Sequence, residues 1–134
     1  MKIEPAIIQV RYADVDSMGH VNNAVYLSYF ENARLHYFKH MLGSNWDWKR
    51  DGIILLKNEV QYIKSVLLED VPKITISVEK IGGKSFVLGY ELKVDDIVYC
   101  VGSSTLVCYD SSVQAPVLIP ELMRVKLEEL KAEQ

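Results

Sequence analysis

The chain has 134 residues, 49% of them hydrophobic and 25% charged, a composition typical of one folded domain and unlike a disordered or collagen-like chain. A formal net charge of −3 without a cluster of Lys or Arg argues against nucleic acid as a partner. No apolar run reaches the roughly 18 residues of a membrane-spanning helix, and Glu4 and Pro5 are unlike a signal peptide. Two cysteines are too few for a disulfide framework, so we expect a reduced, cytoplasmic chain with residues 1–134 in a single domain.

The first predicted elements are a short strand, a loop and a long helix. Alternating apolar residues predict a strand from Ala6 to Tyr12. The loop that follows is rich in turn-forming residues, and Asn22 is predicted to be the N-cap of the helix. The helix runs to about Leu42, where Gly43 offers a left-handed cap. Because apolar residues occupy most of its circumference, we expect this helix to be covered on most sides.

Four antiparallel strands joined by tight turns, then a short amphipathic helix after Pro120, are predicted in the rest of the chain. The strands are predicted at 54–62, 74–78, 86–94 and 97–109. Gly82–Gly83 and Asp95–Asp96 are typical of hairpin turns, and the last strand is apolar on both faces, which favours a central or interface position. The order predicts an α+β fold with a five-stranded antiparallel sheet around one long helix. The open edge of so small a sheet favours pairing with a second copy.

The loop before the long helix carries the most chemical information. It places the carboxylates of Asp14 and Asp16 and the imidazole of His20 beside the start of a buried helix. The first N–H groups of a helix have no intrahelical partner, so this end stabilises a developing oxyanion and favours an ionised carboxylate. An anionic base or nucleophile beside a polarising donor is what attack on an activated carbonyl requires. Taken alone, however, Asp and Gly before a helix are typical turn and capping residues.

The same segment resembles the signature of the hotdog-fold acyl-CoA thioesterases of the four-hydroxybenzoyl-CoA thioesterase superfamily. That signature is an aromatic residue, Asp-x-Asp, a Gly, often His-Val-Asn-Asn, and an aromatic-rich helix with Glu and Arg about one turn apart. The matching residues are Tyr12, Asp14, Asp16, Gly19, His20, Val21, Asn22, Asn23, Tyr26, Tyr29, Phe30, Glu31 and Arg34. The resemblance covers roughly residues 5–110. It implies a hotdog fold, in which the sheet wraps around the helix, and paired subunits with active sites at their interface.

The resemblance also suggests roles for individual residues. Asp16 matches the catalytic carboxylate, acting either as the nucleophile or as a general base, and the backbone N–H of Asn23 matches the donor to the thioester carbonyl. His20 either lines the pocket or orients the loop, and Tyr26 either packs in the core or touches the substrate. Asp16 is therefore the candidate catalytic residue, and Asn23, His20 and Tyr26 are the candidate substrate-binding residues. Asp14 is expected to form local hydrogen bonds in the turn.

Two pairs on the helix have simpler interpretations. Glu31 and Arg34 are predicted to form an ion pair near the interface. His36 and His40 have the spacing of a metal-binding pair, but no third ligand is evident, and we predict no metal site.

Residues on the strands leave two alternatives open. Cys100 and Cys108 share one face of a strand, roughly 27 Å apart, and are predicted to be core thiols. Asn58 is either a polar pocket residue or the mark of an edge strand. Three lysines either meet the phosphates of coenzyme A or are solvated surface residues: Lys57, Lys64 and Lys84.

The sequence thus predicts a thioesterase that hydrolyses an acyl-CoA or acyl carrier protein thioester to the free acid and the thiol. We expect no metal or redox cofactor and a homodimer or homotetramer. One alternative is a hotdog-fold enoyl thioester hydratase or dehydratase. Such enzymes use an Asp–His pair, which Asp16 and His20 resemble, but the proline-bearing loop typical of hydratases is absent at 17–19. The other is a non-catalytic acyl-CoA-binding module, which usually carries an effector domain for which 134 residues leave no room.

Overall fold

A curled antiparallel sheet and two helices form the computed structural model, which describes residues 2–134. The elements in chain order are β1 (Ala6–Ile7), α1 (Val25–Leu42), β2 (Gly52–Tyr62), β3 (Lys73–Ile81), β4 (Ser85–Val94), β5 (Ile97–Asp110), β6 (Ala115–Pro116) and α2 (Glu121–Ala132). The strand order is β1-β3-β4-β5-β2, with all neighbours antiparallel, and the short β6 pairs with β5. The predicted α+β hotdog fold is therefore confirmed. Neither helix described for residues 2–134 is long and apolar enough to cross a membrane.

The two hairpins of the sheet form where the sequence predicts them. Gly82–Gly83 joins β3 to β4, and Asp95–Asp96 joins β4 to β5 with φ angles of 50° and 65°, as a type I′ turn requires. β5 lies between β4 and β2, as its two apolar faces predict. The predicted tight turn between the first two long strands, β2 and β3, is wrong. Residues 63–72 instead form a longer connection, because β2 pairs with β5 at the edge of the sheet.

The hydrophobic core lies between the inner face of the sheet and one side of α1. The ring of Phe30 stacks on that of Tyr90 with the centroids 4.3 Å apart, which ties the middle of the helix to β4. The buried helix residues repeat at three- to four-residue spacing: Tyr26, Tyr29, Phe30, Ala33, Tyr37 and Met41. α2 contributes three further buried residues at the same spacing: Met123, Leu127 and Leu130. The apolar pattern of both helices is thus explained by burial of one face.

The opposite side of α1 is exposed, so the prediction that this helix is covered on most sides is wrong for the single chain. Leu27 and Leu35 are 36% and 58% exposed. Beside the helix, the edge strand β2 exposes Ile54, Leu55 and Leu56. We call these five residues the edge surface. Exposed apolar side chains on a helix and on an unpaired edge strand favour an interaction site.

The predicted first strand is shorter than expected. Only Ala6 and Ile7 pair with β3, whereas a strand was predicted as far as Tyr12. The next position opposite β1 is Pro72, which has no N–H to donate, so the ladder ends after one further bond from the Ile8 N–H to the Pro72 carbonyl. Residues 12–14 then form a single 3-10 turn.

The helix begins later than predicted. Its first residue is Val25 and its N-cap is Ala24, not Asn22. Asn22 instead forms a turn ahead of the helix, because its side-chain Oδ1 accepts the Ala24 N–H at 2.9 Å and its carbonyl accepts the Val25 N–H at 2.9 Å. The helix ends at Leu42 as predicted, and Gly43 has a positive φ of 81°, but its ψ of 177° is not that of a left-handed helical cap.

Candidate active site

A tight turn between the N-terminal segment and α1 holds two of the candidate residues together. The Asp16 N–H donates to the carbonyl of His20 at 2.8 Å, and the Gly19 N–H donates to the carbonyl of Asp16 at 3.0 Å. Gly19 has φ 78°, a conformation that glycine adopts without steric cost. An antiparallel bridge between Val15 and Val21 closes the turn. The sequence between residues 15 and 21 therefore folds as a small loop with Asp16 at its exposed end.

The carboxylate of Asp16 is exposed, and one of its oxygens is fixed by the turn. Oδ1 accepts hydrogen bonds from the N–H of Met18 at 2.9 Å and of His20 at 3.1 Å. Oδ2 receives no hydrogen bond from any residue between 2 and 134, so it is free to attack a carbon or to accept a proton. The arrangement combines a held orientation with an open oxygen, as a nucleophile or general base requires.

Asp14 has a different environment, although it lies only two residues earlier. It is 2% exposed and accepts hydrogen bonds from the Arg11 N–H at 2.9 Å, from the Arg11 guanidinium and from the Tyr29 hydroxyl at 2.7 Å. Burial alone would raise its pKa, but these hydrogen bonds outweigh burial and hold the pKa of Asp14 below its usual value. The predicted local hydrogen bonding of Asp14 is confirmed.

Between Val21 and Val25, where the chain enters α1, one backbone N–H is free. Within the described chain, the N–H of Asn23 has no acceptor, whereas the amides on either side of it are paired. The paired donors and their acceptors are Val21 with Val66 O, Asn22 with Asp14 O, Ala24 with Asn22 Oδ1, and Val25 with Asn22 O. In a trans peptide the N–H and C=O point in opposite directions, so the Asn22 carbonyl, bound to Val25, turns the Asn23 N–H away from the helix. This donor can meet an external carbonyl oxygen.

Two tyrosines, Tyr26 and Tyr62, lie beside this donor. Tyr26 is 2% exposed, its hydroxyl accepts the Val66 N–H at 3.1 Å, and burial raises its pKa. Its ring meets the edge of Tyr62 with the centroids 5.0 Å apart, and the Tyr62 hydroxyl donates to the carbonyl of Asn23 at 2.7 Å. Asn23, Tyr26 and Tyr62 together line a shallow pocket of about 130 Å³.

Tyr62 is a residue of this pocket that the sequence does not predict. In the sequence, Tyr62 is distinguished only by its position at the end of a predicted strand. No local pattern predicts its contact with Asn23, 39 residues away. Of the predicted residues, the loop brings Asp16 and His20 together, and Asn23 and Tyr26 share the small pocket. His20 is half-buried and contacts Asp16 through its backbone, which orients the loop.

A separate apolar cavity of about 240 Å³ lies between α1 and β2. Its lining residues are Glu31, Arg34, Leu35, Phe38, Trp48, Ile53, Leu55 and Leu106. The predicted ion pair between Glu31 and Arg34 is present, but its N–O distance of 4.0 Å is long. Arg34 is only 7% exposed, and its guanidinium donates to the Tyr90 hydroxyl at 2.9 Å. Arg34 is thus satisfied mainly by the sheet.

The two histidines of α1 and the two cysteines have structural contacts. His36 donates from Nε2 to the carbonyl of Glu4 at 2.8 Å, and its ring lies 4.8 Å from that of His40. Within residues 2–134, no three His, Cys, Asp or Glu side chains are grouped to hold a metal ion. Cys100 and Cys108 are free and buried, and burial raises the pKa of each thiol to about 11. The prediction of core thiols is confirmed.

Of the remaining residues, Lys64 lines the 130 Å³ pocket, whereas Lys57, Asn58 and Lys84 line neither pocket just described. Asn58 is on the edge strand and its Oδ1 accepts the Ser104 hydroxyl, which satisfies a buried polar pair on the inner face. Lys57 pairs with Glu59 at 2.8 Å, and the Nζ of Lys64 lies 5.0 Å from the centroid of the Tyr99 ring. All three lysines considered in the sequence, including Lys84, are exposed.

Comparison with known proteins gives consistent results. The model of a family described as the thioesterase-like superfamily matches residues 10–127. The long-chain acyl-CoA thioesterase FadM of Escherichia coli is 27% identical over 92% of this chain and 96% of its own length. A Thermus thermophilus thioesterase, whose crystal structure contains coenzyme A and zinc, is 28% identical, with a TM-score of 0.83 over 96% of this chain and 94% of that one. A predicted thioesterase of Bacillus stearothermophilus is 25% identical, with a TM-score of 0.85 over 95% of both chains.

Proposed function

Because the chain belongs to the thioesterase-like superfamily, we propose that it hydrolyses acyl-CoA thioesters to the free acid and coenzyme A. One observation carries the proposal: the segment that leads into α1 presents both an exposed carboxylate with a free oxygen, that of Asp16, and an outward-facing amide, that of Asn23. Coenzyme A is favoured over acyl carrier protein as the thiol. The E. coli relative is an acyl-CoA thioesterase by name, and the Thermus relative contains coenzyme A.

In the proposed reaction, the N–H of Asn23 donates to the thioester carbonyl oxygen and stabilises the negative charge that develops there. Asp16 acts through Oδ2 in one of two ways. It attacks the carbonyl carbon, expels the thiolate and forms an anhydride that water then hydrolyses, or it takes a proton from a water molecule that attacks directly. Label in the Asp16 carboxylate after a single turnover in ¹⁸O-labelled water would establish the anhydride route, because the label enters Asp16 only when water attacks an anhydride at the carboxyl carbon of this residue.

We further propose that the active protein is a homodimer joined through the edge surface. The eleven-residue strand β2 has an unpaired side, and Leu55 and Leu56 beside it are 42% and 62% exposed. Antiparallel pairing of two such strands about a two-fold axis would set the Tyr62 end of one β2 against the Gly52 end of the other. The 240 Å³ apolar cavity of one subunit would then adjoin the Asn23 loop of its partner and receive the acyl group. The active site would lie at the subunit interface.

Two further residues, His20 and Tyr26, are proposed to support substrate binding. His20 orients the turn that holds Asp16, and Tyr26 forms the floor of the pocket beside Asn23. The proposed steps use Asp16, the N–H of Asn23 and water, and we propose no metal ion or redox cofactor. We place the protein in the cytoplasm, where two free cysteines remain reduced.

A panel of acyl-CoAs of graded chain length, with released thiol measured by a thiol-reactive dye, tests this proposal. We expect thiol release with saturable kinetics and its loss in Asp16→Asn. Loss of the conjugated absorbance of an enoyl-CoA, faster than thiol release, would instead establish a hydratase. Thermal stabilisation by acyl-CoA without thiol release at any chain length would establish a binding module.

A further inference from the structure

The free amide of Asn23 is flanked by peptide groups that are held at three points. The peptide that contains this N–H is bound through the Asn22 carbonyl by the Val25 N–H. The following peptide is bound on both sides, because its carbonyl accepts the Tyr62 hydroxyl at 2.7 Å and its N–H, from Ala24, donates to Asn22 Oδ1 at 2.9 Å. Adjacent peptide planes rotate against each other about one Cα, so a bond that fixes the second plane also restrains the first.

We propose that Tyr62 is a positioning residue whose hydroxyl, through the carbonyl of Asn23, sets the direction of the N–H that polarises the thioester. This inference rests on the proposed thioester hydrolysis. The donor is effective only if it points at the oxyanion before the reaction begins, since reorientation during the reaction would cost energy. Tyr62 supplies this restraint from β2, an element distant in sequence from the loop.

The surroundings of Tyr62 suit a hydrogen-bond donor better than a packing residue. Its side chain is 43% exposed, so the ring contributes little to the buried core. Burial of the remaining part and the proximity of Cys100 raise the pKa of Tyr62, which keeps the phenol protonated across the pH range of an enzyme assay. Its ring is held edge-on by Tyr26, whose hydroxyl is anchored in turn to the Val66 N–H. The ring of Tyr62 is therefore held in an orientation that places its hydroxyl at the carbonyl of Asn23.

The test is Tyr62→Phe, which removes one hydroxyl and keeps the ring. We expect kcat to fall about 10-fold while KM changes less than about 2-fold, because a misdirected donor weakens transition-state stabilisation more than substrate binding. Tyr109→Phe is the matched control, since Tyr109 lies on β5 at the end of the ladder opposite Gly52 and its hydroxyl serves no residue of the loop. We expect this control to match the wild type in both constants.

A spectroscopic measurement separates positioning from general structural support. In a carba-dethia acyl-CoA, a methylene replaces the thioester sulfur, and the bound ketone cannot be hydrolysed. With ¹³C in this carbonyl, difference infrared spectroscopy should show a smaller red shift on binding to Tyr62→Phe than to the wild type. Asn22→Ala removes the second restraint on the same peptide, so we expect it to act in the same direction and to be non-additive with Tyr62→Phe.

A kcat for Tyr62→Phe within 2-fold of the wild type would overturn the inference. A lower kcat with an unchanged carbonyl band would also overturn it, because Tyr62 would then act on something other than the donor. Failure of the proposed function looks different: the wild type itself would release no thiol and the ketone analogue would show no shifted band.

Discussion

The hydroxyl of Tyr29 donates a hydrogen bond of 2.7 Å to the carboxylate of Asp14, and this contact separates the roles of two aspartates in one motif. The carboxylate of Asp14 accepts hydrogen bonds from Arg11 and from Tyr29 of α1, and these bonds hold the loop against the helix. Asp16 faces outward with one oxygen free. Of the two carboxylates of this motif, one is therefore buried and hydrogen-bonded and the other is exposed.

The first prediction concerns Asp16, the proposed catalytic carboxylate. Asp16→Asn keeps the shape of the side chain and its Oδ1 contacts with the turn, but it removes the negative charge. We expect turnover to fall at least about 100-fold, the lower end for loss of a general base, while acyl-CoA binding persists. Steady-state thiol release and calorimetric titration with a non-hydrolysable analogue measure the two effects.

The matched control for this substitution is Asp96→Asn, at the exposed hairpin between β4 and β5. It makes the same chemical change away from the loop and should leave turnover unaltered. Turnover of Asp16→Asn within a few-fold of the wild type would show that the catalytic carboxylate has been misplaced.

The second prediction concerns stability and pH. Asp14→Asn should destabilise the fold by about 1–3 kcal/mol at pH 7, because it weakens charge-assisted hydrogen bonds to a buried group, and should reduce turnover less than Asp16→Asn. The folded pKa of Asp14 lies below its ordinary value of 3.8, so its stabilisation is present above that pH and is lost as the pH falls through the folded pKa. The difference in unfolding free energy between the wild type and Asp14→Asn should therefore narrow below about pH 4. Denaturant titrations between pH 7 and pH 3 measure it, and a gap independent of pH would contradict the assignment.

The third prediction concerns assembly. Leu56 is 62% exposed at the β-bulge of β2, and Leu56→Lys places a charge on the edge surface. We expect sedimentation of a 15.3 kDa monomer with little thiol release, because the acyl cavity and the Asn23 loop would no longer meet. Ile97→Lys, at a position 55% exposed at the start of β5, is the control and should remain associated and active. A wild-type protein that sediments only as a monomer at micromolar concentration would contradict the proposed dimer.

The fourth prediction tests the packing of helix against sheet. A Cβ added at Gly102 would lie 2.9 Å from the ring of Phe30 and 2.8 Å from the carbonyl of Glu59. Gly102→Ala should therefore cost about 1–3 kcal/mol of stability by overpacking. Gly83→Ala, whose Cβ would meet only Leu118 at 4.0 Å, should lie within about 0.5 kcal/mol of the wild type. Denaturant midpoints of the two variants make the comparison, and equal midpoints would contradict it.

Features that depend on neighbours in the chain were predictable, whereas pairings between distant segments were not. The end of α1 at Gly43 and the turn at Asp95–Asp96 follow from local backbone preferences. The early end of β1 depends on Pro72 in another segment, and β2 pairs with β5, a strand distant from it in the sequence. Asp16 could be singled out because the segment around it resembles a family signature. The contact of Tyr62 with Asn23 spans 39 residues and has no local signature.

The two buried thiols have a practical consequence for the assays described above. Cys100 and Cys108 are each 0% exposed with thiol pKa values of about 11, so the folded chain presents almost no thiolate to an electrophilic dye at neutral pH. The colour that develops during a reaction then counts released coenzyme A without a background from the enzyme. In a separate measurement without substrate, the same reagent titrates two cysteines per chain as the protein unfolds and so reports the fraction of protein that has lost its structure.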